Sequence, residues 1–357
     1  MKEKDNGMID VEVSREAAEA TERIRRHIES LPEEKRPKVC IKCITYNHGE
    51  FIRETLDGFL MQQTDFPFVA VVHDDASTDN TADIVREYAE RYPDIIFPIF
   101  ETENQYRKPG GPLTKIMQDA IDATGARYVA MCEGDDYWTS PHKLQLQADF
   151  LDTHPDYVLT THHHKILSQY DGQLSEGIVV PSQDIDLKSY IKRDHWIFQT
   201  LTLMYRNEAM EPDRMMKYKD RKDLVFIYHL LTHGKGYYFE EDMGVYRLHG
   251  GGVWSSLHNQ KAIYKGEYFG RKSIYDVEKT PEAALILLWT FLCLNVRRST
   301  ILRYPSIIVG CIGPYVKHFG RKGLLKMLYR RIALNRFGWR DFPLEDFYAR
   351  FGGEGKV

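Results

Sequence analysis

Three carboxylates stand within four consecutive residues of the chain, Glu133-Gly134-Asp135-Asp136. Like charges this close repel one another, so a compensating cation is expected beside them. Oxygen ligands with room for water are typical of Mg²⁺ or Mn²⁺ bound together with a substrate diphosphate. The residues alone leave a second interpretation open, in which the tetrad is an acidic surface turn that caps the following helix.

The elements around the tetrad bear on this choice. Two further polar clusters, Thr45-Tyr46-Asn47 and Asp74-Asp75, each follow an apolar run, as the tetrad does. Segments with helical periodicity separate these runs, which predicts a mostly parallel sheet with helices on both faces. Ligands bind off the carboxyl ends of the strands in such sheets. The three clusters therefore predict one shared site.

Four segments of residues 38–255 resemble the motifs of an inverting glycosyltransferase of family two. They are, in chain order, Cys43-Ile44-Thr45-Tyr46-Asn47, Asp74-Asp75-Ala76-Ser77-Thr78-Asp79-Asn80-Thr81, Glu133-Gly134-Asp135-Asp136-Tyr137-Trp138, and Asp223 with Tyr246-Arg247-Leu248-His249. The resemblance implies the GT-A fold of nucleotide-diphospho-sugar transferases, an α/β Rossmann-like mixed sheet flanked by helices. Glu133 stands where the family has Asp, and Ala76 where it has Gly. Alanine suits that position if the turn needs no positive φ.

The resemblance also implies a role for each matching residue. Asp223 is the general base that deprotonates the acceptor hydroxyl. Asp135 is a ligand of Mg²⁺ or Mn²⁺, and His249 is a second ligand. The residues expected to contact the donor are Thr45, Tyr46, Asn47, Asp75, Lys115, Glu133, Asp136 and Arg247.

Within this donor set the resemblance distinguishes several contacts. Thr45-Tyr46-Asn47 lines the nucleotide pocket and Asp75 binds the base, typically uracil. Glu133 lies near the ribose, Asp136 supports the diphosphate or the donor sugar, and Arg247 helps to hold the diphosphate. Lys115 is the nearest candidate for a cation that the family carries before the fourth strand.

The expected function is metal-dependent transfer of a sugar from a UDP-sugar to a glycan or lipid-linked acceptor, in bacterial surface polysaccharide synthesis. A Gln-x-x-Arg-Trp motif is absent where processive synthases carry it, which favours single addition. A nucleotidyltransferase is one alternative, but the turn 45–49 has no Arg or Lys to hold phosphates. An inactive scaffold that binds nucleotide or glycan is another, and the intact Asp135 and Asp223 argue against it.

Composition sets the remaining expectations. The chain of 357 residues has a formal net charge of -4, which gives no support to nucleic-acid binding. Its 5 cysteines are odd in number and lie mostly in apolar runs, so free thiols in a reducing compartment are expected. No secretory leader and no apolar run of about 18 residues is visible. We therefore expect a cytoplasmic protein.

Patterning predicts three parts: an N-terminal helical arm (1–36), the GT-A domain (37–255) and a basic helical extension (256–357). Cations alternate with apolar residues over 317–336. This favours peripheral contact with anionic lipid on the inner face of the cell membrane, and a solvated cationic face is the alternative. The glycine-rich segment 250–254 is either a lid over the donor or a linker.

Overall fold

The computed structural model describes residues 12–108, 111–192, 197–251, 260–293 and 310–323. They form two compact units. The first unit takes the described residues within 1–187, 194–216 and 229–256, and the second takes those within 188–193, 217–228 and 257–357. The division at residues 36 and 255 that the sequence suggests stays a prediction.

A 10-stranded sheet forms the centre of the first unit among the described residues. Its N-terminal half has four parallel strands, β1 (Val39–Thr45), β2 (Phe68–Asp74), β3 (Ile96–Phe100) and β4 (Tyr128–Met131), in the order β3-β2-β1-β4. Thr45 lies directly opposite Asp74 in the β1–β2 pair. The carboxyl ends of these strands therefore meet at one edge of the sheet, as the sequence predicts.

The other half of the sheet is mixed. It contains β5 (Tyr137–Trp138), β6 (Tyr157–Ser168), β7 (Leu174–Glu176), β8 (Gln183–Ile185), β9 (Met204–Arg206) and β10 (Lys235–Leu248). β6 and β10 are parallel, but β9 is antiparallel to both β4 and β6, and β5, β7 and β8 are antiparallel to their partners. The strand–helix alternation that predicts parallel pairing covers β1 to β4, where the pairing is parallel, and it ends before this half.

Helices cover the sheet and build the second unit. They are α1 (Arg15–Ser30), α2 (Ile52–Leu60), α3 (Thr81–Arg91), α4 (Pro112–Thr124), α5 (Lys143–Thr153), α6 (Leu187–Lys192), α7 (Pro212–Met215), α8 (Asp223–Leu231), α9 (Gln260–Glu278) and α10 (Pro281–Cys293). Residues 310–323 are also helical. The predicted mixed sheet with flanking helices, an N-terminal helix and C-terminal helices is confirmed.

The N-terminal helix α1 is amphipathic and packs against α4 and β3. Ser14 caps it by accepting a hydrogen bond from the Ala17 backbone N–H at 3.1 Å. The apolar positions Ala20, Ile24 and Ile28 recur on one face and are buried. Burying one such isoleucine contributes roughly 1.5–3 kcal/mol, so the packing of this face holds α1 on the first unit.

The second unit is helical in its described part. Asp220 donates its backbone N–H to Ser273 Oγ on α9 at 3.1 Å, and α10 buries apolar side chains such as Ala284 and Leu287. Among the described residues, no helix combines the length and apolar character that a membrane crossing requires. The expected membrane contact stays a prediction, and most of the stretch 317–336 and residues 252–254 of the expected lid lie outside the described ranges.

Candidate active site

Backbone hydrogen bonds join the three polar clusters that follow β1, β2 and β4. Asp75 donates its N–H to the carbonyl of Thr45 at 2.9 Å, and Gly134 donates to the carbonyl of Ile44 at 2.9 Å. A Cβ on Gly134 would lie 2.5 Å from Thr45 Oγ1. Only glycine therefore lets the tetrad come this close to the end of β1.

The turn after β1 is fastened to the loop after β2. Asn47 has a φ of 56°, a left-handed conformation that asparagine tolerates better than most residues. Its side-chain oxygen accepts from the Thr78 N–H at 2.7 Å, and its own N–H donates to Ser77 Oγ at 2.9 Å. Asn47 thus joins the turn after β1 to the loop after β2 through its side chain and its backbone. Its contact with the nucleotide stays a prediction.

Ala76 also adopts a left-handed conformation, with a φ of 63°. The condition under which alanine suits this turn, that no positive φ is needed, is therefore not met. A left-handed alanine costs roughly 1–2 kcal/mol, since its Cβ crowds the following carbonyl oxygen. The strain lies directly beside Asp75.

Asp75 is buried and is held by a loop that follows β3. Its two carboxylate oxygens accept backbone N–H groups from Gln105 at 2.6 Å and from Tyr106 at 3.1 Å. Each oxygen has a further lone pair for a ligand. The loop therefore orients the carboxylate that is predicted to bind the base.

Two other residues, Tyr46 and Lys115, are also predicted to contact the donor. Tyr46 is half-buried, and the Arg107 guanidinium lies 5.8 Å from the centre of its ring. Lys115 lies on α4, and its Nζ binds Asp119 of the same helix at 2.7 Å. The contacts that the structure gives Lys115 are not with the strand-end residues, so its role at the donor stays a prediction.

Within the tetrad the two aspartates face different partners. Asp136 is buried, and its Oδ1 accepts the backbone N–H of Arg247 at 2.9 Å. Burial raises the pKa of Asp136 well above its usual range, and the neighbouring Asp135 adds to the effect. Glu133 is half-buried and its carbonyl accepts the Asp136 N–H at 3.2 Å.

Asp135 instead meets two imidazoles. Its Oδ2 lies 2.9 Å from His249 Nε2 and 3.7 Å from His48 Nε2. Burial alone would raise the pKa of Asp135, but the hydrogen bond from His249 and the nearby His48 outweigh it and leave that pKa lowered. Burial lowers the pKa of His48, so its ring is neutral near pH 7.

His48, Asp135 and His249 each offer one ligand atom, and these atoms all lie within 4.8 Å of one another. One carboxylate oxygen and two imidazole nitrogens are a chemically suitable set for a divalent metal. The sequence analysis identified Asp135 and His249 but missed His48. Its position directly after Thr45-Tyr46-Asn47 was the one available signal.

Arg247 is held in place beneath the tetrad. Its side chain is 1% exposed, its Nη1 donates to the Asp135 carbonyl at 2.8 Å, and its Nη2 contacts Glu54 of α2. The guanidinium also lies 4.4 Å from the Tyr137 ring centre and 5.1 Å from that of Phe51. Sequence reasoning missed Glu54, because nothing in an exposed helical glutamate marks it as the partner of a buried arginine.

Asp223, the predicted general base, is the first residue of α8 and belongs to the second unit. Its role stays a prediction. The other predicted residues, Lys115 apart, belong to the strand ends and the loops that follow them in the first unit.

Comparison with known proteins identifies the family. The model described as Glycosyl transferase family 2 matches residues 40–211. An uncharacterized protein of Mycobacterium tuberculosis is 33% identical over 319 residues, which cover 88% of this chain and 87% of that protein. The chain belongs to glycosyltransferase family 2. This confirms the predicted family and the prediction that the protein is a glycosyltransferase.

Two further comparisons, one with a curated relative and one with a solved structure, add to this result. The putative teichuronic acid biosynthesis glycosyltransferase TuaG of Bacillus subtilis is 26% identical over 60% of this chain and 80% of its own length. The crystal structure of residues 1–349 of S. aureus TarS in complex with UDP-GlcNAc has a TM-score of 0.56 and 18% identity, covering 77% of this chain and 81% of that one. The predicted GT-A fold is thereby confirmed.

Proposed function

We propose that this family 2 enzyme is a metal-dependent inverting glycosyltransferase. It would move a sugar from a UDP-sugar to a hydroxyl of a glycan or lipid-linked acceptor, in bacterial cell-surface polysaccharide synthesis. The observation that carries the proposal is the contact between Asp135 and His249 at the edge where the parallel strands end. The two proposed metal ligands and the predicted nucleotide-binding residues therefore lie at the same edge of the sheet.

The metal belongs at Asp135 and His249 in this proposal. A bound Mg²⁺ or Mn²⁺ supplies charge neutralisation for the leaving diphosphate, which then needs no proton to depart. Asp135 is suited to this role because its pKa is lowered, so it is ionised near pH 7. The Arg247 guanidinium adds a fixed positive charge beside the tetrad, where its Nη1 donates to the backbone carbonyl of Asp135.

The uridine part of the donor belongs at the end of β1 and β2. Asp75 has lone pairs left for the base, and Thr45 Oγ1 is buried without a hydrogen-bond partner. A buried hydroxyl without a partner is costly, so a ligand atom at this point would be favourable. TarS, which shares the fold, was solved in complex with UDP-GlcNAc.

Inversion needs a single base that removes the proton of the attacking hydroxyl while the diphosphate leaves from the opposite side. We assign this base to Asp223. Retained turnover in Asp223→Asn, with donor binding unchanged, would remove this assignment. Loss of turnover with intact UDP binding is the expected result, because Asp223 is assigned to the acceptor hydroxyl and not to the donor.

The relatives support a role in the synthesis of cell-surface polysaccharide. TuaG is named for teichuronic acid synthesis, and that relationship favours a surface glycan as the acceptor. A panel of UDP-sugars, read by thermal shift with Mn²⁺, would identify the donor without knowledge of the acceptor.

Calorimetry of UDP binding tests the metal assignment. We expect Mn²⁺ to strengthen UDP binding to the unmodified enzyme, and Asp135→Asn to abolish that gain. Asp149→Asn is the matched control, since Asp149 is an exposed carboxylate on α5 that bonds Gln145. An undiminished effect of Mn²⁺ in Asp135→Asn would show that the metal is held elsewhere.

A further inference from the structure

We propose that His48 is a third protein ligand of the metal, so that the enzyme binds a divalent transition metal before the donor arrives. The proposal rests on the proposed function in one respect, that Asp135 and His249 hold a metal. It adds a ligand that the sequence motifs do not include. It also assigns a metal preference and an order of binding.

The placement of the His48 ring is the first support. Its Nε2 faces Asp135 Oδ2 at 3.7 Å, beyond hydrogen-bond distance, and the ring centres of His48 and His249 are 6.0 Å apart. A carboxylate and an imidazole that converge without bonding leave room for an ion between them. The ligand atoms of His48, Asp135 and His249 all lie within 4.8 Å of one another.

The lack of partners for the His48 ring is the second support. His48 is largely buried, with its side chain 15% exposed, and its Nδ1 is buried without a hydrogen-bond partner. Its Nε2 makes no hydrogen bond to a described residue, because Asp135 Oδ2 lies 3.7 Å away. This nitrogen is therefore available to a metal ion, with Nδ1 carrying the ring proton.

The backbone fixes His48 where it stands. Its N–H donates to Thr81 Oγ1 at 2.9 Å, and its carbonyl accepts from the N–H groups of Phe51 and Ile52 at 2.8 Å each. A Cβ on Gly134 would lie 3.0 Å from His48 Nδ1, so the space between the tetrad and this side of the ring has no room for a side chain. The imidazole is thus positioned without using its nitrogens.

Ligand chemistry then predicts which metal binds. Mg²⁺ prefers oxygen ligands and keeps several waters, whereas imidazole suits transition metals. Two imidazoles and one carboxylate therefore favour Mn²⁺ and, by the usual order of affinities, Co²⁺ still more. Three protein ligands also hold an ion without help from a diphosphate, and the remaining positions stay open for the donor.

Metal binding to the donor-free enzyme tests the proposal. Purified protein is stripped with chelator and titrated with Mn²⁺, Co²⁺ or Mg²⁺ without nucleotide, with affinity read by calorimetry. We expect Co²⁺ and Mn²⁺ to bind more tightly than Mg²⁺. In His48→Gln, which offers an amide oxygen at similar reach, Mn²⁺ and Co²⁺ affinity should fall at least about tenfold, while Mg²⁺ affinity changes less.

Pulsed electron paramagnetic resonance on the Mn²⁺ complex supplies a readout that is independent of affinity. Coupling to two imidazole nitrogens is expected in the unmodified enzyme and to one in His48→Gln. His142→Gln is the matched control, because His142 is exposed and makes no side-chain bond to the start of α5. It should leave both measurements unchanged.

The outcomes separate the two proposals. Unchanged Mn²⁺ affinity and nitrogen coupling in His48→Gln, with loss of binding in Asp135→Asn, would overturn the role of His48 and leave the proposed function standing. Mn²⁺ that binds only together with UDP would overturn donor-independent binding. Mn²⁺ binding that survives Asp135→Asn with and without UDP would remove the metal site of the proposed function as well.

Discussion

At the residue scale, the site is organised by a few positions whose backbone or burial is unusual. Gly134 allows the tetrad to touch the end of β1, and Asn47 and Ala76 adopt left-handed conformations in the turns after β1 and β2. Arg247 is buried between aromatic rings and fixed by Glu54. The chemistry-bearing carboxylates are thus supported by other residues of the family motifs and, through Arg247, by Glu54, which lies outside those motifs.

The strain at Ala76 gives a prediction about stability. Ala76→Gly should raise the free energy of unfolding by about 1 kcal/mol, because removal of the Cβ relieves the left-handed strain and outweighs the added freedom of glycine in the unfolded chain. Denaturant unfolding measures the change. Ala18→Gly, at a helical position on α1, is the control and should lower stability by roughly 0.5–1 kcal/mol. A destabilised Ala76→Gly would show that the turn bears no strain.

The close approach at Gly134 gives a prediction about the site. Gly134→Ala should weaken UDP binding in the presence of Mn²⁺ by about tenfold or more, because a Cβ 2.5 Å from Thr45 Oγ1 forces the tetrad away from β1. Gly172→Ala is a control for steric space only, since nothing lies within 4 Å of its Cβ position. Equal UDP affinity in Gly134→Ala and the unmodified enzyme would contradict this account of the turn.

At the element scale, sequence reasoning succeeded where strands alternate with helices along the chain, because that pattern predicts parallel pairing. Apolar runs that end in polar residues predicted β1, β2 and β4. They also predicted that Thr45, Asp75 and Asp135 lie at one edge of the sheet. Sequence reasoning did not find the antiparallel place of β9 between β4 and β6, because the strand–helix alternation ends after β4 and gives no signal for that pairing. It missed His48 and Glu54 because their partners depend on how turns and helices orient side chains.

The buried face of α1 gives a prediction for this helix. Ile24→Ala should cost about 2–5 kcal/mol of unfolding free energy, because it empties a packed position between α1 and the sheet. Glu19→Ala, on the exposed face of the same helix, should change stability by less than about 0.5 kcal/mol. Chemical denaturation of both variants measures the difference. Similar values for the two would mean that α1 is not an integral part of the first unit.

The buried lysine of α5 gives a prediction about pH. Lys143 Nζ donates to Gln147 Oε1 at 2.7 Å, and burial lowers the pKa of Lys143 to about 7. In the unfolded chain its pKa is about 10.4, so above pH 7 the unfolded state binds more protons and this group makes stability rise with pH, by up to about 1.4 kcal/mol per unit.

Lys143→Met should remove that rise. Between pH 7 and pH 9 the difference in unfolding free energy between the unmodified enzyme and Lys143→Met isolates the lysine, because the other titrating groups are common to both. The unmodified enzyme should gain stability relative to the variant across this window. A difference that stays constant with pH would show that Lys143 is protonated in the folded protein.

At the scale of the whole molecule, the first unit carries the family 2 sheet and the donor-side residues, whereas Asp223 belongs to the second unit. Family and fold could be predicted from ordered motifs because those motifs mark strand ends. The acceptor could not, because its recognition depends on side chains outside the motifs. Binding of the donor and of the metal is therefore the part of the proposed function that the motifs specify, and the central claim.

Release of UDP from a UDP-sugar tests that claim most directly. The chelator-treated enzyme is assayed against a panel of UDP-sugars, before and after Mn²⁺ is restored, beside Asp135→Asn and the control Asp149→Asn. We predict UDP release that requires Mn²⁺, persists in Asp149→Asn and falls by about a hundredfold or more in Asp135→Asn. UDP release that is equally fast in chelator, or that survives Asp135→Asn, would contradict the account.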